Sequence, residues 1–472
     1  MHRTLLAAAA IGFAAAPTQA DDRPNLLLIV ADDLGYADLA CYGATDTQTP
    51  HLDRLAAGGV TFTNFYANCC VCSPTRASLL TGRYPQRAGV PGVVRVFGNQ
   101  NFGYLDPTAE TLPDRLNTAG YDTALIGKWH LGYRAPNLPL ERGFDVFRGW
   151  TSGMSAEFVV HRRHGERFLF DGTEPIDKDG VHLTELFTEW SQEYLADRAG
   201  DDDPFFLMLC HMAPHKPIEP PAEFVARVKG RHPDLSAKRA EYIAFVEHLD
   251  DAIGRTLTTL EQTGLAEDTL VVFVSDNGGL LGAGADNGPL RDGKGSMYEG
   301  GLKVPCIASR PGSLPAGAVS DATLLTMDLV PTFCAAASVD ATPDGGVAID
   351  GEDFSAVFAG EDFARSARSL YWVRRERWGG VPPSGKIYGP IEAVRSGDWK
   401  LTRSNPQAPF ELYDLAADPG ETTDLARERR DVVDRLRREL VHHAHESGRF
   451  PWQRPPAEEW RTEYAPTGTP MP

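Results

Sequence analysis

The strongest apolar runs along the chain are short, and four of them end alike. "PNLLLIVADDLGY" is continuously apolar over strand length and closes on Asp32 and Asp33. Such an unbroken run, without polar alternation, is the pattern of a strand buried on both faces. "DTLVVFVSDNGG" repeats the pattern and closes on Asp276 and Asn277. "YDTALIGKWHLG" and "PFFLMLCHMAPHKP" predict two further strands, ending near Lys128, His130 and His215. Helical patterns separate them, among them residues 50–57 and 236–260. Strands alternating with helices predict an α/β fold with a mostly parallel sheet flanked by helices, which binds ligands at the carboxyl ends of its strands. The polar endings then converge on one crevice.

From about residue 365 the pattern changes. "EAVRSGDWKLTRS" and "FELYDLAADPGETTDLA" are short strand patterns with turn residues, followed by a charged helix over 428–446 whose buried stripe is Val433, Leu436 and Leu440. This predicts a smaller C-terminal α+β domain. The division expected is a leader over 1–20, a catalytic α/β domain over 21–364, and an antiparallel-sheet-plus-helix unit with an irregular Pro-rich tail over 365–472.

The leader combines Arg3, an apolar stretch over 5–16, and small residues at Thr18 and Ala20, the layout of a secretory signal peptide. Its apolar stretch is shorter than the roughly 20 residues a membrane span needs, and no later run reaches that length. The expected setting is therefore exported, periplasmic or extracellular, and the lack of any Asn-x-Ser/Thr sequon points to a bacterial source. A formal net charge of −19 argues against nucleic acid and anionic membranes as partners. An anionic substrate needs a local cluster of cations.

Asp32, Asp33, Asp276 and Asn277 are costly at buried strand ends unless a cation neutralises them, and together they form a hard, all-oxygen donor set. Calcium suits that set, with magnesium as the alternative. In extended backbone Lys128 and His130 face one side and Trp129 the other, which aims the first two into the crevice. His215 follows a strand, and Lys294 lies in the Gly-rich "GPLRDGKGSMYEGG". In "CCVCSPTRASLLTGR", Ser73 reads as an N-cap, Pro74 as the first helical residue and Gly82 as the stop. Cys72 then sits just before a helix N-terminus, where an anion is favoured, with Arg76 one turn on. A zinc site would need a second Cys or His pair at ligand spacing, and the other cysteines supply none; a disulfide at Cys69 or Cys70 stays open. "HRRHGER" (161–167) and "RRERW" (374–378) are either a substrate rim or solvated faces, and "HHAH" (442–445) reads as cations complementing a helix dipole.

Cys72-Ser73-Pro74-Thr75-Arg76, continued by "ASLLTGR", resembles the signature of the type I sulfatases. "DDLGY", "GKWHLG", "PHKP", "SDNGG", "GKGSMYEGG", "GDWKL" and "LYDLAADPGE" are similar to family segments, in family order and over nearly the whole chain. "GKWHLGYRAPNLPLERGFD" and "MDLVPT" resemble the branch of arylsulfatases and N-acetylgalactosamine-6-sulfatases. The resemblance implies an alkaline-phosphatase-like fold and hydrolysis of a sulfuric ester in a sulfated small molecule or saccharide. It implies that formylglycine-generating machinery converts Cys72 to formylglycine, which hydrates to a geminal diol. One calcium per chain would be held by Asp32, Asp33, Asp276 and Asn277 and would contact the modified Cys72. One hydroxyl of the diol would attack sulfur while His215 and Lys294 assist the leaving oxygen and Arg76, Lys128 and Lys294 neutralise charge. His130 would take the proton of the second hydroxyl, releasing sulfate. Removing Cys72 from the seven cysteines leaves an even six. An acidic body around a cationic pocket favours a small or terminal ester over the middle of a densely charged polymer. The alternatives are a phosphate or phosphonate ester hydrolase of the same superfamily and a non-catalytic sulfoglycan-binding protein with Cys72 unmodified.

Overall fold

Each of the four apolar runs is a strand at the centre of one sheet. The computed structural model describes residues 23–96, 101, 103–341, 348–358, 360–361, 368–375 and 391–446; the expected leader, the Pro-rich tail and the expected boundary at 364 lie outside them. Strands β1 (Asn25–Ala31), β2 (Val60–Phe62), β3 (Asp122–Lys128), β4 (Val146–Trp150), β5 (Leu169–Asp171), β6 (Glu174–Pro175), β7 (Phe205–Cys210), β8 (Thr269–Ser275), β9 (Cys306–Ser309) and β10 (Ala318–Ser320) are ordered β10-β2-β9-β8-β1-β7-β3-β4-β5-β6. The five from β8 to β4 are parallel, with Leu28 of β1 opposite Met208 on one side and Val272 on the other. Antiparallel pairings appear outside this parallel block, at β8–β9, β9–β2, β4–β5 and β5–β6.

The unbroken apolar run in β1 has a direct cause. Leu26, Leu28 and Val30 enter the apolar cluster on one face, while Leu27, Ile29 and Ala31 enter the cluster on the other. The first face is covered by α2 (Cys72–Thr81), α3 (Leu112–Thr118) and α7 (Leu329–Ala336); the second by α1 (Pro50–Ala57), α4 (Leu183–Asp197) and α6 (Ala237–Gln262), with α5 (Ala222–Arg231) packed on α6. Ser236 caps α6 by accepting the Arg239 N–H at 3.2 Å, as its position in the sequence suggests.

The C-terminal unit is an antiparallel sheet of β11 (Leu370–Arg374), β12 (Ile391–Ser396), β13 (Trp399–Arg403) and β14 (Glu411–Asp414), with α8 (Arg430–Glu446) packed against it. Val432, not the expected Val433, joins Leu436 and Leu440 in the buried stripe; Val433 is half-buried. The unit is tied to the main sheet by buried charge. Lys400 Nζ lies 2.8 Å from Glu299 Oε1 and 2.9 Å from Glu421 Oε1, all three being buried. Among the described residues no cysteine forms a disulfide, Cys69 and Cys70 included. Among the described residues, no helix is long and apolar enough to cross a membrane.

Candidate active site

The strand endings converge as the pattern predicts. Asp32 follows β1, Asp276 follows β8, Lys128 ends β3, and His215 stands beyond β7 in a turn closed by its N–H to the Met212 carbonyl at 2.9 Å. Asp33 adopts a left-handed φ of 66°, an uncommon state for a residue with a side chain.

Helix α2 begins at Cys72, two residues earlier than the Ser73 cap implies, and Val71 occupies the N-cap. The Ser73 hydroxyl is used elsewhere, accepting the Val94 N–H at 3.1 Å, and Thr75 Oγ1 bonds both the N–H and the carbonyl of Cys69. Gly82 ends the helix with φ 65°, as expected. Arg76, one turn in, grips Asp276 Oδ2 through Nε at 3.0 Å and a terminal nitrogen at 2.8 Å, and donates to the Lys128 carbonyl at 3.0 Å. Cys72 Sγ, a carboxylate oxygen of Asp32 and one of Asp276 lie within 4.8 Å of one another.

Lys128 and His130 do meet at this site, but strand alternation is not the reason. The strand stops at Lys128, and His130 has a left-handed φ of 61°. Lys128 is buried beneath the cleft and pairs with Asp32, whereas His130 lines the cleft and its ring packs on Gly153, where a Cβ would lie 2.2 Å from Nε2. His130 Nε2–H donates to the Val94 carbonyl at 2.9 Å, which leaves Nδ1 buried without a partner. Lys294 Nζ is 2.5 Å from Asp33 Oδ1, and His215 Nε2 is 3.6 Å from Asp33 Oδ2.

Burial is the largest influence on Asp32, Asp276, His215, His130 and Cys72, and at Asp32 the neighbouring cations reverse its direction. Burial alone would raise Asp32, but Lys128, His215, Arg76 and Lys294 hold its carboxyl well below the usual range. Burial and the adjacent Asp32 push Asp276 up to about 6 against the pull of Arg76. Burial, then Lys294, lowers His215 to about 4; burial, then Lys128 and Arg76, holds His130 well below its ordinary value. Burial pushes the Cys72 thiol up despite Lys128 and Lys294, so as a cysteine it is a protonated, unactivated thiol.

Three buried acceptors in this cluster, Asp32 Oδ1, Asp33 Oδ2 and Asn277 Oδ1, have no hydrogen-bond partner. Asn277 spends its amide nitrogen on Asp33 Oδ1 at 2.8 Å and on the Gly278 carbonyl, leaving the oxygen available. Orphaned buried acceptors cost about 1–3 kcal/mol each. A hard divalent cation would satisfy all three, so the donor set fits calcium or magnesium. Three carboxylates also balance three permanent cations, Arg76, Lys128 and Lys294, so a divalent ion would leave the site positive toward an anion.

Above this floor is a cleft of about 480 Å³. Cys72, His130, His215 and Lys294 face it, and among the described residues no Asp or Glu lines it. Arg95, Arg163 and Arg374 also line it. Sequence reasoning raised the runs holding Arg163 and Arg374 only as an open choice, and gave no sign of Arg95, which stands in a loop without periodicity. At His443 the "HHAH" reading is corrected. His443 is half-buried, stacks on Tyr371 at 3.9 Å and accepts from Gln86 Nε2 at 2.8 Å, an arrangement for a neutral ring; burial, then Arg87, lowers it to about 3.

Residues 24–339 match the family model described as Sulfatase, and residues 292–446 match the one described as N-sulphoglucosamine sulphohydrolase, C-terminal. The chain belongs to the sulfatase family. This sulfatase is 32% identical to the N-acetylgalactosamine-6-sulfatase of Sus scrofa, over 95% of this chain and 90% of that protein. It is 34% identical to arylsulfatase A of Homo sapiens, over 90% of this chain and 86% of the relative. Among solved structures, Ps i-CgsB in complex with k-i-k-neocarrahexaose superposes with a TM-score of 0.80 at 28% identity, covering 94% of this chain and 98% of that one. The chain is accordingly a sulfuric ester hydrolase with an alkaline-phosphatase-like fold.

Proposed function

We propose that this sulfatase is calcium-dependent, takes its nucleophile from Cys72 after conversion to formylglycine, and acts on a sulfated saccharide. The observation that carries the proposal is the placement of Cys72 within 4.8 Å of Asp32 and Asp276 oxygens, beside the orphaned acceptors of Asp32, Asp33 and Asn277, under a cleft lined by cations. The names of relatives and neighbours, an N-acetylgalactosamine-6-sulfatase and a complex with k-i-k-neocarrahexaose, support a sugar substrate.

Asp32, Asp33, Asp276 and Asn277 would hold calcium, which supplies Lewis-acid charge for the sulfuryl oxygens. Formylglycine supplies a hydrated aldehyde, which offers a hydroxyl nucleophile and a second hydroxyl for releasing sulfate. The side chains of the chain do the rest. Arg76 holds Asp276 in place through its two contacts, and with Lys128 and Lys294 it offsets charge gathering on the sulfuryl oxygens. His215 donates from Nδ1 to the Lys216 carbonyl at 2.6 Å, which sets Nε2 toward Asp33 and the cleft. From there Lys294 donates the proton to the departing oxygen, and His215 assists it when a second proton on Nε2 makes its ring cationic. The unpartnered Nδ1 of His130 is the acceptor for the proton of the second hydroxyl. The same reading has residues 1–20 removed on export from a bacterial cell, 21–364 as the catalytic domain and 365–472 as the C-terminal unit.

The test uses full-length protein made with formylglycine-generating machinery and supplied with calcium, assayed on 4-nitrophenyl sulfate, 4-nitrophenyl phosphate and defined sulfated saccharides. Faster release from the sulfate ester, with inorganic sulfate freed from at least one saccharide, is expected. Preferential turnover of the phosphate ester, or saccharide binding without turnover, would overturn the proposal.

A further inference from the structure

The short hairpin of residues 162–167 divides its arginines between two surroundings. Arg162 and Arg167 turn outward and meet Asp177. Arg163, between them, turns inward, donating from one terminal nitrogen to Ser152 Oγ at 3.0 Å and to the Met154 carbonyl at 3.3 Å. It lines the same cleft as Cys72, His130 and Lys294. Among the described residues no carboxylate pairs with Arg163, although the chain carries a net charge of −19. A second cation, Arg95, lines the same cleft. Both guanidiniums are half-buried and line one cleft, an arrangement that favours an anion reaching the two of them. The scissile sulfate does not need them, because Lys128, His130, His215 and Lys294 already surround its position. The rest of the wall includes Val94, Val96, Tyr133 and Met154, an apolar surface suited to the face of a sugar ring.

We propose that Arg163 and Arg95 receive a second anionic group of the substrate, a sulfate ester or a carboxylate on the same or the adjoining sugar, so that this sulfatase selects doubly anionic saccharides. The inference rests on the sulfatase reading and adds the substrate's second charge to it. Charge-assisted bonds to a planar guanidinium support such selection.

The experiment compares kcat/KM for sulfate release from N-acetylgalactosamine 6-sulfate, from the same sugar with a second sulfate ester, and from the 6-sulfated sugar joined to a uronate. It uses calcium-replete, formylglycine-bearing protein as the parent, R163Q and R163K. In the parent, one or both doubly anionic substrates are expected to exceed the singly charged one by about 10-fold or more, and whichever does so identifies the second group as sulfate or carboxylate. R163Q should bring that ratio close to one, chiefly through KM, and R163K should restore part of it. A parent ratio near one, or a ratio that R163Q leaves unchanged, would overturn the inference while leaving the sulfatase reading intact. No sulfate from any of the three, nor from 4-nitrophenyl sulfate, would overturn both.

Discussion

Replacing Lys400 by methionine removes the cation from the buried contact between the two parts of the molecule. Lys400 is fully buried, and its ammonium lies 2.8 Å from Glu299 and 2.9 Å from Glu421. At an effective dielectric near 20 each contact is worth about 4–6 kcal/mol before desolvation, but the two carboxylates also repel each other and all three groups have left water. The net effect is better judged from what the substitution leaves behind, a pair of buried carboxylates without their cation. Such a loss costs about 3–5 kcal/mol. Two dependences distinguish this from a simple packing defect. With the cation gone, Glu421, which burial already raises, has a folded-state pKa further above that of the unfolded chain, so the variant's deficit should shrink as pH falls from 7 to 5. Adding Glu421→Gln should recover about 2 kcal/mol, which a double-mutant cycle reads as coupling. Urea denaturation at several pH values, followed by tryptophan fluorescence, measures all three quantities. Glu299 also lies five residues beyond Lys294, and its backbone N–H donates to Glu421 Oε2 at 2.6 Å, so a fall in kcat is expected alongside. A K400M protein within about 1 kcal/mol of the parent at pH 7, with no pH-dependent recovery, would refute the reasoning.

Chelation by EGTA should abolish sulfate release and lower the melting temperature, with both restored by calcium; D276N should weaken calcium binding measured by calorimetry, and unchanged binding would remove Asp276 from the ligand set. Because His443 is held below its free value, stability should fall as pH drops from 6.5 toward 3, where the unfolded chain takes a proton that the folded ring does not. H443F, which keeps the stack on Tyr371, should lose about 2 kcal/mol less than the parent between pH 7 and pH 4.5, and parallel melting profiles would contradict this. C72A should retain the parent's melting temperature to within a few degrees while sulfate release falls to background; an unfolded C72A would show that Cys72 is needed for packing as well.

The doubly buried strands were legible because their physical cause is one-dimensional. Leu26 to Ala31 must all be apolar when both faces of the sheet are covered, and a polar ending then marks the crevice. The polar endings Asp32, Asp33, Asp276 and Asn277 could be read for the same reason. His130 was placed correctly on a mistaken premise, since a left-handed turn that periodicity cannot show delivers it to the cleft. The offset in α2 arises because Ser73 spends its hydroxyl on the distant Val94, a competition invisible to a local capping rule. Arg163 comes from a hairpin and Arg95 from a loop far from it in sequence, so their shared wall is not written in any short stretch of sequence. His443 reads as a cation by its place in the last turn of α8, whereas its burial against Tyr371, and then Arg87, hold the ring below its ordinary value.

The central claim is that Cys72 is the precursor of the nucleophile. Mass spectrometry of the tryptic peptide 55–76, from protein whose sulfate release is measured in the same preparation, tests it most directly. Residue 72 is expected to have lost its sulfur and gained an aldehyde oxygen, with turnover rising in proportion to the converted fraction across preparations. Full sulfate-ester turnover from protein in which Cys72 is an intact thiol throughout would contradict it.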